Sequence, residues 1–209
     1  MGTPPGRPEI TGLVLAGGRG ERMGGADKGL QPWRGRPLVD HVIERLQPQV
    51  ATLILSANRH IDDYARRGWP VLRDRDDTPM YAGPLAGILA GLRAARTPWL
   101  AVVPCDTPRL PVDLVERLAA ACTGHQGADG AAIYGQAAAA HGAGAEGRLE
   151  SLCCLLSTRL ADDLDASLRA GRRQVQGWLA RHAIAPVYCS QADDAAAFAN
   201  FNRPEDLSA

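Results

Sequence analysis

Four short apolar runs, interleaved with segments of helical spacing, set the frame of this chain. The runs are ITGLVLA (10–16), ATLILSA (51–57), WPVLR (69–73) and WLAVVPC (99–105). Between and after them, Leu38, Val39, Val42, Ile43 and Leu46 share one helical face. So do Leu85, Ile88, Leu89 and Leu92, and then Leu114, Val115, Leu118 and Cys122. Strands this continuously apolar are buried on both faces, which implies a mostly parallel sheet with helices on either side. Right-handed crossovers then wind it doubly, as an α/β three-layer sandwich.

Past residue 123 the pattern weakens into a Gly/Ala-rich stretch. Strands are expected at Ala131–Tyr134, in SLCCLLS, in APVYCS and in AFANFN, with a loop around 137–147. Leu160, Leu164 and Leu168 mark one helix and VQGWLARH another, while RPEDLSA opens with Pro at a plausible first helical position. The 209 residues suit one domain. We divide it into a loose tail (1–9), a first half to about 123 and a second half over 124–209.

The 23 basic and 23 acidic residues cancel, so nothing global draws the chain to nucleic acid or an anionic membrane. Any anion site must be local. No apolar run approaches the ~20 residues that span a bilayer, and MGTPPGRPEI lacks the apolar segment of a secretory signal. Five cysteines without a CxxC pair argue against a disulfide framework or structural zinc and fit a reducing cytoplasm.

The local site is suggested by LVLAGGRGERMGGADKGL (13–30), a strand running into glycines with Arg19, Arg22 and Lys28. Glycine backbone approaches a bulky anion closely, and successive N–H groups at a strand end form an anion nest. A polyphosphate is the simplest partner; a glycine-rich turn with solvated charges is the other reading. The spacing fits neither GxxxxGK[ST], since Gly29 follows Lys28, nor GxGxxG, since Met23 takes the third glycine's place.

LAGGRGERMGGADKGL resembles the signature loop of nucleotidyltransferases of the nucleotide-diphospho-sugar transferase (GT-A-like) fold, and within them the molybdenum cofactor guanylyltransferases. Further matches are SANRH (56–60), VLRD (71–74), GPLAGI (83–88), VVPCDTPRLP (102–111) and FANFNRPEDL (198–207), in order along nearly the whole chain. The resemblance implies that Leu15, Ala16, Gly17, Gly18, Lys28, Ser56, Asp74, Pro84 and Asp106 line a nucleotide. Lys28, Arg22 and Asp106 would be the catalytic groups, with Asp106 holding Mg2+ or Mn2+.

Each assignment has a plainer alternative. Asp106 ends a buried strand, where open α/β sheets bind ligands, but Asp-x-Pro is also good turn chemistry. Pro84 opens a helix whose free N–H groups suit a phosphate, or an ordinary amphipathic helix. Ser56 stands where the family commonly has an asparagine that contacts guanine, and a hydroxyl lacks an amide's paired groups. Asn58 and Arg59 match the pattern and are further candidates. Asp74 would read the base or ribose, and a carboxylate accepting from guanine N1–H and its amino group would favour guanine. Asn200 and Asn202 share one face of a strand, or lie in a turn; the resemblance sets them near the pterin or the metal. Arg173, with Arg172 and Arg169, follows a helix and suits the pterin phosphate, or is a solvated helix end. In that segment Gln174 replaces the family's basic residue. From 124–150 we carry over only Glu150.

The implied reaction is transfer of GMP from GTP to the terminal phosphate of Mo-molybdopterin, releasing pyrophosphate. Contact with molybdenum-insertion proteins or molybdoenzyme chaperones is implied on the same ground. Rival readings are a cytidylyltransferase or sugar-phosphate nucleotidyltransferase of the same fold, and a non-catalytic nucleotide- or cofactor-binding protein. A dinucleotide-dependent dehydrogenase is disfavoured by the broken glycine fingerprint.

Overall fold

The computed structural model describes residues 3–16, 26–74, 83–125, 127–134, 149–188, 196–202 and 204–208. Seven strands form the central sheet: β1 (Ile10–Leu15), β4 (Thr52–Ser56), β5 (Val71–Leu72), β6 (Trp99–Pro104), β7 (Gly130–Tyr134), β8 (Leu149–Ser157) and β9 (Ile184–Tyr188). A separate hairpin joins β2 (Pro32–Trp33) to β3 (Arg36–Pro37). The sheet order is β5-β4-β1-β6-β8-β7-β9. β8 runs antiparallel to both its neighbours, and every other pairing in the sheet is parallel. The mostly parallel, doubly wound expectation is therefore met.

Side-chain alternation along the strands feeds two apolar layers. Ile10, Val14, Leu53, Leu55, Ala101 and Val103 pack under α1 (Leu38–Leu46) and α4 (Leu114–Gly124), with Tyr64 of the short α2 (Ile61–Ala65). Leu13, Ile54, Leu100, Val102, Cys154 and Leu156 pack under α3 (Pro84–Ala94), α5 (Ala161–Arg169) and α6 (Val175–Leu179). Gly12 allows the first layer to close. A Cβ there would stand 2.6 Å from Leu53 Cδ2 and 3.1 Å from both Leu46 Cδ2 and Val50 Cγ2. Ahead of β1, Arg7–Glu9 form a 3-10 turn, and Arg7 Nε donates to the Val50 carbonyl at 3.0 Å.

The chain leaves β1 for β4 and β5 on one side, then returns to β6 on the other. The crevice outside the carboxyl ends of β1 and β6 is thus the topological switch point, where open α/β sheets take ligands. Two devices bring distant chain to it. The β2–β3 hairpin turns on Arg34 and Gly35, both at positive φ (50° and 79°), the conformation of a tight two-residue turn. Its Trp33 packs with Leu38 and Phe201, the Trp33 and Phe201 rings edge to face at 5.2 Å. Phe201 N then donates to the Asp106 carbonyl at 2.8 Å, so the C-terminal segment lies against the end of β6.

AFANFN is not a strand. Phe198 and Phe201 are buried three residues apart, a turn spacing that anchors the segment at two points rather than in a ladder. Cys105, Cys122, Cys153 and Cys154 are buried free thiols. Burial pushes Cys122 up to about 11 and raises Cys105 well above the usual thiol range, so these are packing groups. No helix among the described residues is long and apolar enough to cross a membrane.

Candidate active site

Lys28 begins a 3-10 turn (Lys28–Leu30) just after the loop leaving β1. Asp27 caps that turn, its Oδ1 accepting from Gly29 N at 3.1 Å and from Tyr64 Oη at 2.6 Å. The cap is 4% exposed, so the carboxylate is held from below by α2 and from within its own turn. Gly29 makes room for this: a Cβ there would stand 2.5 Å from Tyr64 Oη and 3.1 Å from Cys105 Sγ. Asp27 Oδ2 has no partner among the described residues.

That foundation aims Lys28 across the switch point. Its Nζ donates to Asp106 Oδ2 at 2.8 Å and to Asn202 Oδ1 at 2.7 Å. Asp106 follows β6 and Asn202 lies 174 residues beyond Lys28, so three remote segments meet on one ammonium. The side chains of Lys28 and Asp106 keep only 24% and 13% of their exposure. The two oxygens converge on a cation, and both are hard donors of the kind divalent ions select. Asn202 N is itself held by Asp206 Oδ2 at 2.7 Å. Asn200 is beside it, with Oδ1 buried and unpartnered among the described residues.

The remaining candidates surround this cluster unevenly. Leu15 ends β1 and its carbonyl accepts from Cys105 N at 2.9 Å, while Ala16 N donates to the Ser56 carbonyl at 2.8 Å. These backbone bonds keep the ends of β1, β4 and β6 level. Ser56 is buried at the end of β4, with its Oγ 2.6 Å from where a Cβ on Gly87 of α3 would stand. Pro84 is the exposed first residue of α3, preceded by Gly83 at φ 85°. Asp74, beyond β5, is bonded to Asn58. Desolvation raises its carboxyl above the usual range, and the Asn58 N–H partly counters that.

Arg173 is exposed in the turn between α5 and α6, with no hydrogen bond or ion pair to the Lys28 cluster among the described residues. Gly17, Gly18, Arg19 and Arg22 lie outside the described residues, as does the side chain of Glu150. Among the described residues there is no group of three or more His, Cys, Asp or Glu that could hold a metal by itself.

Sequence reasoning missed Asp27 and Tyr64. The signal for Asp27 was present, since Asp before Lys-Gly is capping chemistry; nothing local announces Tyr64. Replacing Tyr64 by Phe removes a bond to a buried carboxylate. We expect a loss of about 1.5–3 kcal/mol in stability and a fall in turnover as the Lys28 turn loosens, read by thermal melting and steady-state kinetics.

The sequence matches the family described as "MobA-like NTP transferase domain" over residues 12–187. It is 48% identical over 207 residues to the molybdenum cofactor guanylyltransferase of Burkholderia orbicola (strain MC0-3), covering 98% of this chain and 97% of that one. It is 46% identical over 203 residues to the enzyme of the same name from Cupriavidus pinatubonensis, covering 96% of each. Among solved structures, molybdopterin-guanine dinucleotide biosynthesis protein A from Archaeoglobus fulgidus superposes with a TM-score of 0.72 at 21% identity, covering 95% of each chain.

Proposed function

The chain belongs to the MobA-like NTP transferase family, and from that premise we propose that it is a molybdenum cofactor guanylyltransferase. It transfers GMP from GTP to the terminal phosphate of Mo-molybdopterin. The observation that carries this is Lys28 Nζ held between Asp106 and Asn202 at the switch point, in a chain 48% identical to a guanylyltransferase. The names of those relatives, with a carboxylate at Asp74 suited to guanine's N–H donors, favour guanosine over the cytidylyl alternative.

An oxygen of the acceptor phosphate attacks the α-phosphorus of GTP. The bond from that phosphorus to the α–β bridging oxygen breaks, and pyrophosphate leaves with the electron pair. A phosphate whose second pKa is about 6 is already anionic at neutral pH, so no general base is required. The obstacle is bringing one anion onto another, and charge and position are what the protein supplies. Lys28 directs its ammonium at the leaving phosphates, fixed by Asp27 through the turn. Gly17, Gly18 and Arg22 are assigned to the same phosphates on sequence. Asp106, with Asn202 beside it, would hold Mg2+ or Mn2+ through oxygen. When bound, such an ion would act as a Lewis acid and offset the negative charge of the phosphates. Asp74 orients the base, Leu15, Ala16, Ser56 and Pro84 border the nucleotide, and Asn200, Asn202 and Arg173 are assigned to the acceptor.

The nucleotide belongs to the half before about residue 123 and the acceptor to the half after it. A reducing cytoplasm is the compartment we assign, in keeping with the free thiols of the core. Transient handover to a molybdenum-insertion protein or molybdoenzyme chaperone is part of the same reading. The test is pyrophosphate release from each of the four NTPs with Mo-molybdopterin and Mg2+. Release with GTP, dependent on acceptor, is expected. Release with CTP alone, or GTP binding without release, would reject the reading.

A further inference from the structure

Asn58 follows β4 by two residues and Asp74 follows β5 by two. The strand ends are tied by Ala57 N donating to the Leu72 carbonyl at 2.9 Å. Across that pair, Asn58 spends both halves of its amide on one residue. Its Oδ1 accepts from Asp74 N at 2.8 Å, and its Nδ2 donates to Asp74 Oδ2 at 2.8 Å. Both the carbonyl and the amino group of that amide are thus engaged by a single neighbour. What it does is fix a neighbour. A bond to the backbone N–H and another to the carboxylate of the same residue define both where Asp74 sits and how its carboxylate is turned.

A half-buried carboxylate that is turned the wrong way offers a base nothing, and a freely rotating one loses entropy on binding. Among the described residues, Asp74 Oδ2 keeps one lone pair beyond the Asn58 bond and Oδ1 keeps both. The carboxylate can therefore accept from two adjacent N–H donors while staying clamped. Among the common nucleobases, guanine carries two such donors side by side, N1–H and the 2-amino group. The Asn58 N–H also favours the ionised form of Asp74, which burial alone would disfavour.

We propose that Asn58 is a positioning residue for base selection, presenting the Asp74 carboxylate to the paired N–H donors of a guanine-type edge. This rests on the GTP reading above. It assigns selectivity to a residue that need not touch the nucleotide, and at a distance from the phosphates.

The test compares GTP with ITP, which keeps N1–H and lacks the 2-amino group, in the wild type, N58A and N58S. The wild type is expected to prefer GTP. In N58A the preference should fall roughly tenfold to a hundredfold, the worth of one hydrogen bond to a charged group. KM for GTP should carry the loss and kcat should stay within about threefold, because the phosphate groups are untouched. N58S keeps one hydroxyl donor and should fall between, and it serves as the reporter if N58A fails to fold. An N58A or N58S enzyme with the wild-type preference overturns the proposal. A wild type that uses GTP and ITP equally overturns it too while leaving guanylyl transfer standing; no GTP turnover at all removes both readings.

Discussion

Alanine at Lys28 is expected to lower turnover with GTP by a hundredfold or more. The side chain is not a solvated surface charge: two oxygens from segments far apart in sequence hold its Nζ at 2.7 and 2.8 Å. A preorganised donor at the site of developing charge is worth roughly 10²–10³ in rate, and each tenfold corresponds to about 1.4 kcal/mol. Asp106→Ala should cost as much, through loss of an oxygen ligand rather than of a cation. The two variants are separable. Lys28→Ala should keep its response to Mg2+ concentration, whereas Asp106→Ala should need far more metal for any residual rate. Near-wild-type turnover in Asp106→Ala would remove the metal assignment. Each change also leaves a largely buried partner charge unpaired, so a drop in melting temperature should accompany the loss of rate.

Trp178→Ala is expected to give the largest loss of stability, about 4 kcal/mol, as buried Trp truncations do. Trp178 is 2% exposed and lies in the layer under α3, α5 and α6 with Leu160, Leu164 and Leu179. Its Nε1 donates to Asp163 Oδ2 at 2.9 Å, and its ring meets His182 edge on at 5.0 Å. For a domain of this size the melting point should fall by roughly 8–16 °C. Trp178→Phe should lose less, since it keeps a ring and gives up the N–H. The Trp178 bond is the main cause holding the Asp163 carboxyl below its ordinary range, with His182 and Arg181 adding to it. That contribution is present above the usual carboxylate pKa and is lost as pH falls through the depressed one. Trp178→Phe should therefore flatten part of the acid side of the stability curve. At 25 °C the folded fraction of either variant should turn over GTP normally, because no described contact joins Trp178 to Lys28 or Asp106.

Most of the first 123 residues were legible because the long strands and helices there each carry their own period. ITGLVLA became Ile10–Leu15 and the Leu38–Leu46 face became a helix with those same five residues buried. α2 was not foreseen, since five residues opened by His60 at φ 51° are too short for helical spacing to register. The β2–β3 hairpin was missed too; Arg34 occupies a left-handed position that sequence assigns to Asn or Gly. In AFANFN the alternation of Phe and Asn imitated a strand, while burial of Phe198 and Phe201 against different neighbours made it an anchored turn. Lys28 and Asp106 were readable one by one from strand ends and charge. Their meeting with Asn202 was not, because it depends on Trp33 seizing Phe201, a contact between segments with no shared local pattern. Asn58 shows the same limit: the sequence offers it only as a candidate, and the fold alone reveals that Asp74 takes both ends of its amide.

The most direct measurement is a crystal soaked with GTP and Mn2+, with anomalous scattering used to find the metal. The account predicts a manganese peak on the Asp106 carboxylate, the triphosphate beside Lys28 and the guanine edge at Asp74. Manganese remote from Asp106, or a nucleotide bound away from the ends of β1 and β6, would contradict it.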